Sequence, residues 1–277
     1  MRVPLVLAFA LLALRALAEP APLRTAVDGT FAPHAMPKLG GGVEGFNVDL
    51  FTEVARRTGR PITIDSASFS GLIPAMNAGR YDFLAAPVTV TKERAENMIF
   101  AQGYLWTEYE FGIRRGSAPI KSWEDLKGKV VTVNKGTPYE QLARKMGEQI
   151  GFDVQAYETN ADAIQAVLSG RAYANLAGNT VIRYAATKNP NFVADLTLRD
   201  TRAEWAAPFR KDEVALRNQV QDVLSCMKRD GTIARLSKKW FGTEPAADDL
   251  EVLIEPGYGV PGMPGYDPTP HEINCAS

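Results

Sequence analysis

The segment Tyr81-Asp82-Phe83-Leu84-Ala85-Ala86-Pro87-Val88-Thr89-Val90-Thr91-Lys92-Glu93-Arg94 decides how the chain is read. Its apolar run Phe83 to Ala86, ended by Pro87, reads as a buried strand of the kind found in parallel sheets. A Thr-rich turn follows, Thr89-Val90-Thr91, and then a charged helix start. Open α/β sheets bind ligands outside the carboxyl ends of their strands. Arg grips a carboxylate through two parallel hydrogen bonds. Arg94, five residues beyond Thr89, therefore fits a carboxylate site, though the same residues also suit a plain turn and a solvated helix.

Outward from this segment the first hundred residues alternate strand and helix. Leu23 to Val27 reads as a strand, Phe46 to Thr58 as a helix with Leu50, Phe51, Val54 and Ala55 on one face, and Gly59 as its stop. Ile62 to Ile64 is a strand, and Leu72 to Ala78 a helix closed by Gly79. The β-α-β-α-β order predicts a parallel sheet with helices on its faces. A second series follows: strands at Tyr109 to Arg114, Val130 to Val133, Val154 to Tyr157 and Ala172 to Leu176, with helices at Tyr139 to Gln149, at Ala161 to Leu168 capped by Asn160, and at Thr180 to Thr187. Ser122 with Asp125 reads as a helix cap. After Trp205 to Phe209 come helices Asp212 to Arg229 and Thr232 to Trp240. Two such series predict two α/β lobes with a cleft between them. The remainder, Pro245 to Ser277, is rich in Pro and Gly and reads as irregular.

The 277 residues are 45% hydrophobic and 23% charged, with a pI near 6.2, and no basic stripe points to nucleic acid. Arg2, the apolar run Val3 to Leu14 and Ala16-Leu17-Ala18 form a secretory signal with cleavage expected after Ala18. No Cys follows it, so a lipid anchor is not expected. Removing Arg2 and Arg15 from the 31 basic residues leaves 29 against 32 acidic ones, a net charge of −3 for the exported chain. Its two cysteines, Cys226 and Cys275, are expected to be bonded in an oxidising compartment. The chain has two histidines, His34 and His271, in no metal-ligand spacing, and lacks a GxSxG elbow, a P-loop and a dinucleotide fingerprint. No cofactor or metal is expected. Gly136-Thr137 lies between a strand and a helix, where backbone N–H groups can meet an anion. Phe31 and Phe69 follow strands, where aromatic rings can clamp a ligand or simply pack in the core.

Taken together, these stretches resemble the periplasmic solute-binding proteins of the polar amino acid ABC uptake family, a type II two-lobed α/β fold. The likeness runs from about Leu23 to Gly242. It rests on Asp28 to Pro33, Gly45-Phe46-Asn47-Val48-Asp49-Leu50, Gly71-Leu72-Ile73-Pro74, Thr89-Val90-Thr91 with Arg94, Gly136-Thr137, Gly170-Arg171, Asp230-Gly231-Thr232 and Lys239-Trp240-Phe241-Gly242. The resemblance implies lobe 1 from 19–106 and 206–244, lobe 2 from 107–205, and a tail at 245–277, with hinges near Leu105 to Glu110 and Thr201 to Ala207. It implies that Arg94 and Thr89 hold a ligand carboxylate from lobe 1, and backbone donors at Gly136 and Thr137 hold it from lobe 2. Phe31 and Phe69 would flank the ligand, Asp28 and Asn134 would read its side chain, and the Pro87 carbonyl would accept from an α-ammonium.

One position departs from the family pattern. Gly178 stands where family members place an Asp that pairs with the α-ammonium, and Tyr173 also replaces an acidic residue. Either another carboxylate serves, Asp28 or Glu204, or the ligand has no free α-ammonium; the second is the reading taken. The implied function is a monomeric periplasmic protein that delivers a small carboxylate-bearing solute to an ABC transporter permease. The alternatives are a periplasmic dehydratase or lyase on the same fold, and a ligand-binding sensor or accessory protein.

Overall fold

The computed structural model describes residues 20–275, so the leader expected at residues 1–18 lies outside the described residues. Strand β1 (Leu23–Val27) leads through the short hairpin β2 (Met36–Pro37) and β3 (Val43–Glu44) into helix α1 (Phe46–Thr58). Helix α1 buries Leu50, Phe51, Val54 and Ala55, the face its periodicity predicts, and ends at Gly59 with φ 66°. The chain returns as β4 (Ile62–Ser66), parallel to β1 with Leu23 opposite Ile62. Helix α2 (Phe69–Asn77) starts earlier than its apolar pattern indicates, so Phe69 is its first residue, not part of a loop.

The segment Phe83 to Ala86 is fully buried and extended, but it is not a regular ladder strand. The Thr25 side chain intervenes. Its Oγ1 donates to the Phe83 carbonyl at 2.9 Å and accepts from the Ala85 N–H at 2.7 Å. Backbone bonds from Asp82 and Ala86 to Arg24 and Ala26 flank the insertion. On its other side Phe83 bridges Phe209. The segment thus fills the layer beside β1 and delivers β5 (Val88–Thr89) and α3 (Lys92–Ala95) to one end of it.

After β6 (Ile99–Phe100), the chain crosses to a second group of elements along β7 (Leu105–Arg114). A 3-10 turn at Trp123–Leu126 carries the capping box read from Ser122 and Asp125. Then come β8 (Val130–Asn134), α4 (Pro138–Ile150), β9 (Asp153–Tyr157), α5 (Asn160–Leu168), β10 (Ala174–Gly178) and α6 (Asn179–Lys188). Helix α5 is capped by Thr159, whose side chain accepts from Asp162 N; Asn160 is inside the first turn. Strand β11 (Phe192–Ala206) runs back, followed by β12 (Pro208–Phe209), α7 (Val214–Arg229) and α8 (Thr232–Phe241).

The main sheet has the order β5-β11-β7-β10-β8-β9. Strands β8, β9 and β10 are parallel, while β7 is antiparallel to both β10 and β11. The sheet is mixed because β7 carries the chain into the second lobe and β11 carries it out. The hinge expected near Thr201 to Ala207 anticipates the end of β11, but the strand's longer part, before Thr201, has no counterpart in the sequence reading. Its burial does not alternate, and its pairing with β7 slips between Ala194 and Thr197 and again between Leu198 and Ala203. A strand with two irregularities loses the period of two that betrays strands in a sequence.

The tail is irregular, as its composition indicates, but it is tied down. Cys226 on α7 is bonded to Cys275, 49 residues on. Gln221 donates to Gly257 O and accepts from Gly259 N, each at 2.7 Å, and Arg217 reaches Gly265 O. Within the tail, Leu250 and Val260 are buried. No described helix is long and apolar enough to cross a membrane.

Candidate functional site

The first half of the site is built by the turn that opens α3. Thr91 caps that helix through Arg94 N at 3.2 Å, which fixes the backbone from which the Arg94 side chain leaves. The guanidinium lies over the Phe69 ring, 5.6 Å from its centroid. It donates to Thr89 O at 2.9 Å and, across the cleft, to Gly136 O at 3.1 Å. Burial pushes it below its ordinary value, with the Tyr139 and Tyr109 phenols opposing that shift. It makes no salt bridge with a described residue. A half-buried guanidinium satisfied only by carbonyls retains donors and a full charge for an anion.

The second half comes from the β8–α4 turn. Gly136 adopts φ +80°, which side chains other than glycine resist. The next residue, Thr137, caps α4 by accepting from Glu140 N. Its Oγ1 also donates to Asn134 O at 2.5 Å. The Gly136 N–H is occupied by Glu140 Oε2 at 2.7 Å, and Pro138 has none. The Thr137 N–H is therefore the backbone donor that this turn leaves for a ligand. Asn134, at the end of β8, donates through Nδ2 to Asp28 Oδ2 at 3.0 Å. Asp28 also accepts from Thr30 N at 2.9 Å and Thr30 Oγ1 at 2.7 Å. An ionised carboxylate only accepts, so the amide nitrogen faces Asp28. Asn134 Oδ1 is then left buried and unpartnered.

A third wall comes from β11. Trp205 is 1% exposed, and its Nε1 donates to Thr89 Oγ1 at 3.0 Å. That bond engages a lone pair of the hydroxyl and leaves its hydrogen free to point into the cleft. The indole's outer edge lies on Gly178, the N-cap of α6. A Cβ there would stand 2.6 and 2.7 Å from Trp205 Cζ2 and Cη2, and 3.1 Å from Thr107 Oγ1. Gly178 has an ordinary φ of −64°, so it is glycine for space and not for conformation. Thr107 Oγ1 is itself buried without a partner.

His34 packs on the same indole, ring centroids 4.6 Å apart. Asn47 Nδ2 donates to Ala85 O, so Asn47 Oδ1 faces His34 Nδ1 at 2.9 Å. That places the imidazole proton on Nδ1, and Nε2 accepts from Thr180 Oγ1 of α6 at 2.8 Å. Desolvation lowers His34 to about 3, so the ring is neutral. Thr30 Oγ1 to Asn160 N and Ser70 Oγ to Glu158 Oε2 also link the lobes. The lobes are in contact around a desolvated site.

Among the residues read from the sequence, Asp28, Thr89, Arg94, Asn134, Gly136, Thr137 and Gly178 converge on this cleft through the contacts above. Phe31 is buried in the turn after β1 and stands edge-on to Trp205 at 6.0 Å. Pro87 is buried in the segment that leads to β5. Glu204 faces away: neighbouring strand residues point to opposite sides, and its carboxylate lies against Gly103. Four participants were missed, Trp205, His34, Tyr109 and Tyr139. A polar Asn47 inside the buried stripe of α1 is the one sequence signal that could have led to His34. A surface groove of about 520 Å³ between Tyr184 and Trp240 is a weaker candidate. Two of its three cations, Lys239 and Arg183, are already paired with Asp49 and Glu110.

The chain is similar to known amino acid-binding proteins. Among curated sequences, a putative amino-acid ABC transporter-binding protein of Vibrio harveyi is 30% identical over 228 residues, covering 80% of this chain and 89% of that one. The L-cystine-binding protein of Escherichia coli (strain K12) is 28% identical, covering 80% and 83%. Among solved structures, an ancestral arginine-binding protein bound to arginine superposes with a TM-score of 0.77 at 30% identity, covering 81% of this chain and all of that one. An ancestral amino acid-binding protein described as a precursor of cyclohexadienyl dehydratase gives 0.74 at 31% identity, covering 79% and 95%. These neighbours are two-lobed binding proteins, as this fold is. Residues 23–243 match the profile of one family throughout. The chain belongs to the bacterial extracellular solute-binding proteins, family 3.

Proposed function

We propose that the protein is the periplasmic substrate-binding component of an ABC transporter and captures an amino acid or related small carboxylate-bearing solute between its lobes. The observation that carries this reading is Arg94: a half-buried guanidinium in the cleft, bonded to carbonyls of Thr89 and Gly136 on its two sides and in a salt bridge with none of the described carboxylates. A ligand carboxylate would supply the missing anion, with the Thr89 hydroxyl and the Thr137 N–H as further donors. Lobe 1 comprises 19–106 and 206–244 with the tail 245–277 packed on it, and lobe 2 comprises 107–205. The protein is exported with cleavage after Ala18, acts as a monomer, and passes its ligand to a membrane permease. It binds without turning its ligand over. Asp28, the candidate acid in the cleft, accepts hydrogen bonds from three donors, whereas a general acid would have to donate.

A thermal-shift screen over amino acids, N-substituted amino acids and small organic acids tests the reading. Saturation at 100 times Kd should add about 2.7 kcal/mol of stability. No response to any carboxylate would remove the proposal. Turnover of the bound compound would move it to the lyase class.

A further inference from the structure

The space beside the carboxylate clamp is already occupied. A carboxylate on Arg94 and Thr89 sits beside the Trp205 indole, whose nitrogen donates to Thr89 Oγ1 at 3.0 Å, so its neighbouring carbon is expected against the same ring. The indole extends from there onto Gly178, whose missing side chain is what admits it. A cation on that carbon would meet ring edges and one neutral hydroxyl, Thr107 Oγ1. The nearby carboxylates are committed elsewhere. Glu204 lies on the far face of β11 against Gly103, Glu140 holds Gly136 N and Arg144, and Glu158 holds Lys135 and Ser70. The one that faces the cleft is Asp28. It sits with Asn134, whose Oδ1 is a buried acceptor lacking a donor.

We propose that Trp205, admitted by Gly178, is the specificity-determining residue of this site, and that it selects carboxylates with no ammonium on the carbon next to the carboxylate. The ligand's hydrogen-bond donors lie at its far end, facing Asp28 and Asn134 Oδ1. The chemical class is an ω-amino, ω-guanidino or ω-amido carboxylate. The proposal rests on the carboxylate reading above and adds to it the rejection of α-amino acids. The cause is desolvation: burying an ammonium without a counter-charge costs far more than leaving it off the ligand.

Matched pairs that differ only in the α-ammonium test it by calorimetry on the full-length exported protein: lysine against 6-aminohexanoate, and arginine against 5-guanidinopentanoate. The expected result is that the α-unsubstituted member binds tighter by about 30-fold or more. The double substitution Trp205→Ala with Gly178→Asp opens the space and supplies a carboxylate, and should reverse the order. The wild-type comparison stands even if that variant fails to fold. Equal or tighter binding of lysine and arginine by the wild type overturns the proposal and leaves the carboxylate reading intact. Failure of all four probes, together with silence of the wider carboxylate screen, overturns both. If other carboxylates respond in that screen while these four do not, a preference for α-amino acids among the responders overturns the proposal, and a preference for α-unsubstituted acids supports it.

Discussion

Arg94 in the cleft is a half-buried cation, Lys228 beneath the segment that enters β7 is a fully buried one, and their surroundings differ. Lys228 is 2% exposed and donates to Gly103 O at 2.7 Å, just before β7, and to Leu253 O of the tail at 2.8 Å. Burial lowers it to about 7, against the opposing pull of Glu204, Glu255 and Glu251. Burial in turn raises Glu204 and Glu251. Its bonds close within the chain and join the tail to the crossing strand. Arg94 has carbonyls from both lobes and no carboxylate. Neither cation forms a salt bridge, but three glutamates pull on Lys228 from within the fold, whereas only the exposed Glu93 pulls on Arg94, which keeps its charge for a ligand. Burial alone does not separate the two roles; the partners do.

Exchanging the perturbations should separate them experimentally. Lys228→Met leaves the Gly103 and Leu253 carbonyls without their donor, and should destabilise the protein by roughly 2–6 kcal/mol, about 1–3 for each carbonyl. Its effect on ligand affinity should be slight. Arg94→Ala should cost about 2–5 kcal/mol of binding, roughly 30- to 4000-fold in Kd, while the ligand-free protein melts at or above the wild-type temperature. Chemical denaturation and calorimetry on both variants check the pair; loss of stability in both would erase the contrast.

The tail sharpens the same comparison. Replacing Cys226 and Cys275 together by Ser should lower stability by roughly 2–4 kcal/mol, the usual range for a bond closing a long loop. Affinity should hold within a factor of two or so, since the tail meets lobe 1 and the hinge and not the cleft. A large loss of affinity would mean that the tail also governs lobe closure.

The His34–Thr180 bond gives a smaller, pH-dependent effect. In the closed protein His34 lies at about 3, against an ordinary 6.5. No charged group contributes to that shift; the packed neighbours are the rings of Phe31, Phe46, Trp205 and Phe241. Closure therefore requires the neutral imidazole, and below the ordinary value it must expel a proton. The stabilisation is fully present above pH 6.5 and is lost as pH falls toward 3. Affinity should be flat above neutrality and fall by up to about tenfold per pH unit below roughly 6. His34→Gln should flatten the profile. The smallest effect belongs to the rim: Glu158 pairs with Lys135 and Ser70, half exposed, so Glu158→Gln should change affinity by less than about 1 kcal/mol.

The fold was largely legible, because helices with one apolar stripe and strands ended by Gly or Pro announce themselves locally. The face of α1 and the stop at Gly59 are examples. Three features were not. The Thr25 side chain that interrupts the ladder beside Phe83 acts across 58 residues. Strand β11 hides behind two irregularities. The tail reads as loose because its anchors, Gln221 and Arg217, lie on a helix far upstream. The candidate site divides in the same way. Arg94 and Thr89 sit five residues apart and are visible as a unit, and Gly178 is visible as a gap. What fills the gap is not, since Trp205 lies 27 positions later in a stretch with no pattern, and only the folded chain brings its indole to Gly178.

The central claim is that the cleft binds its ligand through a carboxylate. The most direct test compares, by calorimetry on the unmodified protein, the tightest-binding carboxylate from the screen with its own primary amide. The two are nearly equal in size and differ in the charge offered to Arg94. The account predicts that the amide binds about 30-fold more weakly or worse. Equal affinity for the acid and the amide would contradict it.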